Sequence, residues 1–134
     1  MRISNQKGFT LIELMISIII IGLLTGIAIP KYNAIQIKAK ESIQKTIGHN
    51  LQLAIEAYSM SAGNIPEVST INGLIELLSQ ENYYTENTKN PFTNMAHSDQ
   101  DASGQITYTY DPNTNNYTLQ ICGANNEEIM ILSN

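Results

Sequence analysis

The chain of 134 residues contains one cysteine, two histidines and no tryptophan, and these scarcities remove several functional classes. Because Cys122 stands alone, neither an intrachain disulfide nor a metal site built on cysteines can form within the chain. His49 and His97 lie far apart without the spacing of metal ligands, and no phosphate-binding loop or nucleophile elbow occurs. The sequence therefore predicts no enzyme.

Basic residues are scarce in the second half of the chain. Residues 63–134 contain nine acidic residues and one basic residue, Lys89, whereas residues 1–62 contain six basic residues. Nucleic-acid binding requires clustered lysine and arginine, so this half predicts no direct nucleic-acid site. A solvated acidic surface is the expected alternative.

Charge is nearly absent from residues 9–29, where Glu13 is the only charged side chain among 21 residues. A helix of this length spans about 30 Å, which is the thickness of the hydrocarbon core of a bilayer. A carboxylate inside such a segment is costly, so its presence suggests a function for Glu13. Arg2 and Lys7 precede the segment and favour a cytoplasmic N-terminus.

An ordinary secretory signal is one interpretation of this segment, with Leu14–Leu24 as its apolar core and Gly26-Ile27-Ala28 as its cleavage site. Two features weigh against it. Glu13 interrupts the front of the apolar core, and the helical periodicity continues past the supposed cut. A membrane-anchored secreted binding domain is the corresponding functional alternative.

The motif KGFTLIELMI, residues 7–16, resembles the prepilin signature of type IV pilins and of the related pseudopilins of secretion systems. The matching features are a basic residue and Gly8 before Phe9, Glu13 five residues after that glycine, and Pro30 at the helix-breaking position of the family. The resemblance implies cleavage by a prepilin peptidase between Gly8 and Phe9, N-methylation of Phe9, and retention of the apolar helix.

The resemblance also implies a function, a location and partners. The function is that of a structural subunit of a type IV pilus-like filament for motility, adhesion, DNA uptake or surface attachment, with a major pseudopilin of a type II secretion system as the alternative. The partners are related pilin subunits, the prepilin peptidase and methyltransferase, an inner-membrane assembly platform and membrane lipid. The chain is expected first in the inner membrane as a single-pass precursor and then in an extracellular filament.

Three interpretations of Glu13 follow. After cleavage the amine of Phe9 lies four residues earlier, one helical turn away, and can neutralise the carboxylate. The resemblance places that amine on a neighbouring subunit, while geometry also permits the pair within one chain. Alternatively, the Glu13 side chain extends toward the lipid headgroups.

Gly22, Gly26 and Pro30 are spaced four residues apart, which allows two interpretations. The glycines form a small-residue face for close packing of membrane helices. Alternatively, the stretch melts, because Pro30 lacks an N–H and clashes with the carbonyl group of Gly26. Since this region is locally extended in filaments of the family that the chain resembles, we favour melting.

The predicted fold is α+β, with a long N-terminal helix packed on a small C-terminal antiparallel sheet. The predicted divisions are a leader (1–8), a hydrophobic membrane and assembly helix (9–30) and a globular domain (31–134). The last divides into an amphipathic helix (31–62), with Gln44 on a polar face, a loop with a short helix (63–104) and the sheet (105–134), whose first two strands alternate apolar and polar residues around a turn at 111–116. Ser69 or Thr70 is expected to cap the short helix, at about 70–80, and Asn90-Pro91-Phe92 is expected to form a turn. The apolar stripe Ile43–Tyr58 is expected to cover the sheet, and Gly48 is predicted to cost the helix about 1 kcal/mol relative to alanine.

Residues 99–104 resemble the first half of an EF-hand calcium loop, with Asp99, Asp101 and Ser103 as candidate ligands. Tyr110 stands where the closing glutamate belongs, and an acidic solvated loop is the competing interpretation. Many pilins staple their C-terminal region with paired cysteines, which this chain lacks. Calcium, an aromatic plug or simple packing is expected to replace the staple, and no other cofactor is predicted.

Overall fold

A computed structural model of the chain describes residues 8–85 and 88–134. Most of the predicted leader, residues 1–7 with Arg2 and Lys7, lies outside the described residues, as do residues 86–87 of the predicted loop. The chain divides into two compact units, Met1–Gln36 and Ile37–Asn134, which are described separately. The predicted functional division between residues 30 and 31 stays a prediction.

The secondary structure confirms the predicted α+β class and the order of its elements. Helix α1 spans Leu11–Ala62 and helix α2 spans Ile71–Gln80. The strands are β1 (Ile106–Asp111), β2 (Asn116–Cys122) and β3 (Glu128–Ser133), and a short 3-10 helix, Ala124–Asn126, precedes β3.

In the first unit, α1 is helical from Leu11 onward and its side chains are exposed. Its length and its mean hydropathy of 2.5 over the most apolar window are sufficient for a helix that crosses a membrane. The helix continues through Gly22, Gly26 and Pro30 without a break in this isolated chain. Melting of this stretch inside a filament stays a prediction.

In the second unit, α1 buries one face against the sheet, and this face differs in part from the predicted stripe. Ile47, Leu51 and Ile55 are buried as expected. Ile43 is instead 52% exposed, and Gln44, expected on a polar face, is fully buried and donates a hydrogen bond to the carbonyl of Gly104. The buried face is therefore rotated by about one residue at its start, because the amide of Gln44 finds an acceptor there.

Gly48 lies against the sheet. A Cβ atom at this position would stand 2.7 Å from Cγ1 of Ile121 and 3.0 Å from Cε of Met130. The helix continues through Gly48, and the position has a packing role that the sequence did not indicate. The missing side chain makes room for the sheet, which compensates for the lower helix propensity.

The sheet has the order β1-β2-β3 with both pairs antiparallel. Alternate residues of β1 and β2 point into the core, namely Ile106, Tyr108, Tyr117, Leu119 and Ile121. A buried hydrogen bond of 2.8 Å from the hydroxyl of Tyr108 to the carbonyl of Pro66 connects the sheet to the segment before α2. The predicted alternation and the turn between the first two strands are confirmed.

Two side chains accept hydrogen bonds from backbone N–H groups in the first turn of α2. The Thr70 hydroxyl accepts a hydrogen bond of 3.1 Å from the backbone N–H of Gly73, as expected for one of the two predicted caps. Asp99 Oδ1 accepts a further bond of 3.0 Å from the N–H of Ile71. The carboxylate of Asp99 therefore connects the loop after residue 88 to the positive end of the helix.

Candidate processing and assembly site

The predicted cleavage position precedes the first helical residue. Gly8 and Phe9 are outside α1, which begins at Leu11, and Phe9 is 89% exposed. Apart from its neighbours in the chain, none of the described residues has an atom within 4 Å of the position that a Cβ of Gly8 would occupy. The described residues therefore leave room around Gly8, and the processing roles of Gly8 and Phe9 stay predictions.

Thr10 and Glu13 form a reciprocal cap at the start of α1. Glu13 Oε2 accepts hydrogen bonds from the backbone N–H of Thr10 at 2.8 Å and from its hydroxyl at 2.9 Å. The N–H of Glu13 donates to the Thr10 hydroxyl at 3.3 Å. This is the capping-box arrangement, in which a threonine and a glutamate three residues later satisfy donors of the first helical turn.

The cap gives Glu13 a local role that the sequence interpretations omitted. Its signal, threonine followed three residues later by glutamate before an apolar run, is present in the sequence. Hydrogen bonds to a carboxylate lower the cost of moving it into apolar surroundings. The cap uses Oε2, and a carboxylate can accept further bonds. The predicted pairing of Glu13 with the amine of Phe9 is compatible with the cap and stays a prediction.

The other polar side chains of the apolar segment donate hydrogen bonds to carbonyl groups of the same helix. The hydroxyl of Ser17 donates to the carbonyl of Glu13 at 2.8 Å, and that of Thr25 donates to the carbonyl of Ile21 at 2.7 Å. Added Cβ atoms at Gly22 and Gly26 would meet nothing within 4 Å. The segment therefore presents an apolar surface whose polar groups are already paired, which suits both lipid and neighbouring helices.

The predicted calcium ligands make hydrogen bonds to protein groups. Asp101 Oδ2 accepts bonds of 3.0 Å each from Asn90 Nδ2 and from the N–H of Ser98, while Asp99 caps α2. The hydroxyl of Ser103 accepts a bond of 3.2 Å from the N–H of Asn125. Across residues 8–85 and 88–134, no three His, Cys, Asp or Glu side chains are placed to hold a metal ion. Calcium binding stays a prediction, and a calcium ion would have to compete with these hydrogen bonds for the same oxygen atoms.

Asn90, which sequence reasoning treated only as part of a turn, is the centre of the loop after residue 88. It is fully buried, and Nδ2 shares its hydrogens among Asp101 Oδ2, the carbonyl of Ser103 at 2.8 Å and the carbonyl of Gly104 at 3.1 Å. Asn90 Oδ1 accepts a bond of 2.8 Å from the N–H of Phe92. These bonds connect both ends of the loop at the start of β1.

Cys122, the single cysteine, is a core residue. It is 5% exposed, and burial, aided by the negative charge of Glu128, raises the pKa of its thiol. A raised pKa keeps the thiol protonated at neutral pH, and the thiolate is the reactive form. The residue therefore acts as a small apolar side chain.

Comparisons with known proteins agree with the N-terminal motif. Residues 3–29 match the family model described as the prokaryotic N-terminal methylation motif. The chain is 39% identical over 69 residues to a type IV major pilin protein PilE1 of Neisseria gonorrhoeae, an alignment that covers 52% of this chain and 42% of the relative. It is 38% identical over 74 residues to the type IV major fimbrial protein FimA of Dichelobacter nodosus, covering 54% of this chain and 46% of the relative.

A third relative is the type IV major pilin protein PilA of Myxococcus xanthus, with 50% identity over 50 residues, which are 34% of this chain and 23% of the relative. The chain thus spans about half or less of the length of the curated relatives that it matches. No solved structure matches.

Proposed function

We propose that the chain is a structural subunit of a type IV pilus-like filament, and the methylation motif and the similarity to type IV major pilins support this proposal. In this proposal the chain is cut after Gly8, methylated at Phe9 and inserted in the inner membrane by residues 9–30. It then leaves the lipid for an extracellular filament in which these residues pack against other subunits.

The observation that carries the proposal is the exposed apolar surface of α1 in the first unit. Large apolar side chains there are half to four-fifths exposed, for example Leu11 at 78%, Leu23 at 68% and Ile27 at 63%. A soluble monomer rarely exposes so large a continuous apolar surface, so the segment requires lipid or other helices as its surroundings. A membrane precursor that later assembles into a filament would have both surroundings, first lipid and then other helices.

Glu13 distinguishes these two surroundings. Within the described chain, the carboxylate oxygen Oε2 of Glu13 accepts two hydrogen bonds, both from Thr10. In a filament the methylated amine of a neighbouring Phe9 can approach it, and the attraction between the charges grows as water is excluded. We therefore assign Glu13 to assembly and not to insertion.

A major pseudopilin of a type II secretion system is the alternative function. The curated relatives reported above are named major pilins or fimbrial proteins, and this naming favours a pilus. A membrane-anchored binding domain is a less favoured alternative. A structural role also agrees with the absence of an enzyme motif from the sequence.

The deciding experiment is electron microscopy of material sheared from the cell surface, combined with intact-mass analysis of its subunit. We expect thin filaments whose subunit begins with methylated Phe9. A mature subunit that begins at Ile29 would instead identify an ordinary secretory signal. Correctly processed protein that stays in the membrane, with no surface filament, would favour the pseudopilin.

A further inference from the structure

A basic stretch of the chain, residues 31–45, directly follows the apolar segment. It contains four lysines and one acidic residue, whereas residues 46–134 contain one lysine and ten acidic residues. With the histidines neutral, the net charge is +3 in the basic stretch and −9 in the residues after it. Solvated surfaces usually mix charges of both signs, so this separation indicates a negatively charged partner for the basic stretch. Its lysines are Lys31, Lys38, Lys40 and Lys45.

The exposed charges of the basic stretch are all positive. Lys31, Lys38 and Lys45 are exposed, and the last two lie on one face of α1 because their spacing makes about two helical turns. Lys40 is half-buried, with its Nζ 5.7 Å from the centre of the Phe92 ring. Exposed ammonium groups are therefore available to bind anions from outside the chain.

Glu41, the acidic residue of the basic stretch, faces its own unit. It is half-buried, and its Oε1 lies 2.9 Å from the position that a Cβ of Gly123 would occupy. Gly123 is a buried residue between β2 and β3. The carboxylate is therefore directed toward the end of the sheet, and it leaves a net positive charge at the surface of the stretch.

Lys31 and Tyr32 have the position in the chain that corresponds to the headgroup layer of a membrane. If residues 9–30 span the bilayer as proposed above, these 22 residues form about 33 Å of helix, against about 30 Å of hydrocarbon core. Lysine and tyrosine are common anchoring residues at the interface between lipid and water. Tyr32 is 62% exposed, so its ring is accessible to that layer. This agreement does not depend on the charge count.

Lys38 is within reach of the same headgroups, and Lys45 is not. Lys38 follows Pro30 by eight residues, about 12 Å of helix, and the headgroups extend roughly 5–7 Å beyond the hydrocarbon core. Side chains on a helix point toward its N-terminus, which is the side of the membrane here. Lys45 is about 22 Å beyond Pro30, farther from the headgroups than the Debye length of about 8 Å. The attraction should therefore decrease from Lys31 to Lys38 to Lys45.

Membrane topology does not explain the basic stretch. Arg2 and Lys7 precede the apolar segment and favour a cytoplasmic N-terminus, which puts the basic stretch on the opposite side of the membrane. Lysines are less common on that side, so the lysines of the basic stretch require a different function.

We propose that Lys31, Tyr32 and Lys38 bind the headgroups of anionic phospholipids in the outer leaflet while the chain is a membrane precursor. This inference rests on the proposed insertion of residues 9–30. Lipid is favoured over a second copy of the chain as the partner, because Lys31 and Tyr32 reach the headgroups upon insertion, whereas a second copy is met only in assembly. The same anionic surface would repel the acidic residues after position 45, so the charge separation orients the second unit away from the bilayer.

The test reconstitutes the full chain in phosphatidylcholine vesicles with a trace of spin-labelled phosphatidylglycerol or spin-labelled phosphatidylcholine. Electron paramagnetic resonance measures the fraction of each label that the protein immobilises. We expect the anionic lipid to associate several times more strongly, by about fivefold for a lysine at the surface. The preference should disappear in 1 M salt, where the Debye length is about 3 Å. Equal association of the two lipids with inserted chain would overturn the inference. A chain that flotation in carbonate shows not to be inserted would overturn the proposed function as well.

Three substitutions that each remove one positive charge provide the matched variants. Lys31→Gln should lower the preference for phosphatidylglycerol about threefold to fivefold, and Lys38→Gln should lower it less. The control is Lys89→Gln, at an exposed lysine of the acidic half, which should keep the preference of the parent. Equal losses in all three variants, or no loss in any, would contradict the assignment to Lys31 and Lys38. So would filaments lost from Lys31→Gln with an unchanged lipid preference, because the lysine would then serve contact between subunits.

Discussion

Residues 11–36 and residues 37–62 belong to the same helix, yet they bury their apolar side chains in different ways. The later part buries six residues in its own unit, and four of them, Ile47, Leu51, Ala54 and Ile55, belong to the apolar core. The earlier part is more apolar but has no buried residue. The comparison teaches that apolar content does not identify a core. A helix buries its side chains where the chain supplies a partner, and otherwise the partner must come from outside.

The largest expected effect is that of a substitution at Glu13, in the earlier part of the helix. Glu13→Ala should leave membrane insertion intact or improved, because a charge is removed from an apolar segment, while filaments should be absent. Insertion is measured by membrane fractionation, and assembly by microscopy of sheared material. Normal filaments from this variant would contradict the assembly role.

Thr10→Ala is the control for that experiment. It removes the side-chain part of the cap and keeps the carboxylate for pairing with the amine of Phe9. We expect filaments from Thr10→Ala. If Thr10→Ala and Glu13→Ala fail alike, the essential role of Glu13 is to close the first turn of α1.

The next effect concerns the second unit alone. Asn90→Ala should lower its free energy of unfolding by about 2–4 kcal/mol, because the buried carbonyls of Ser103 and Gly104 and the N–H of Phe92 lose their partner. Urea unfolding followed by tyrosine circular dichroism measures it. Asn50→Ala, at an exposed position of α1, should change this free energy by less than about 0.5 kcal/mol. Similar values for the two variants would show that the hydrogen bonds of Asn90 do not stabilise the second unit.

Two glycines of α1 give a matched pair that sharpens the comparison. Gly48→Ala should lower the free energy of unfolding of the second unit by about 1–3 kcal/mol, since the new methyl group overlaps Ile121. Gly26→Ala adds the same group in open space and should leave that free energy unchanged. Equal effects in chemical unfolding would mean that the sheet does not require Gly48.

The smallest effect tests the calcium prediction. Asp101→Ala should lower the melting temperature modestly, by the equivalent of about 1 kcal/mol, because Asn90 and Ser98 lose an acceptor. We expect the same loss with calcium and with a chelator, as measured by calorimetry. A calcium-dependent rise in the melting temperature of the parent that Asp101→Ala abolishes would support the predicted site instead.

Features set by neighbouring residues were predictable from the sequence. The cap at Thr70, the strand alternation around Tyr108 and the limits of the helices depend on residues within a few positions of one another, and the structure agrees with them. The cap formed by Thr10 and Glu13 was equally local and could have been found. It was missed because the carboxylate suggested a partner on another chain.

Features set by distant residues were not predictable. Gln44 and Ile43 exchanged their expected places because an acceptor 60 residues away, the carbonyl of Gly104, lies beside the helix. Asn90 became the centre of its loop through carbonyls 13 and 14 residues later. No periodicity encodes such pairs, because the path of an irregular loop decides which polar groups meet. The predicted functions of Gly22, Gly26 and Pro30 depend in turn on other subunits.

The cap at the start of α1 has a consequence for maturation. Both of its residues, Thr10 and Glu13, follow the proposed cut between Gly8 and Phe9, so the mature chain inherits a helix start that is already closed. If the chain is processed as proposed, trimming would require no refolding of the helix that remains. A peptidase would release eight residues and expose a new amine while the first turn of the helix keeps its shape.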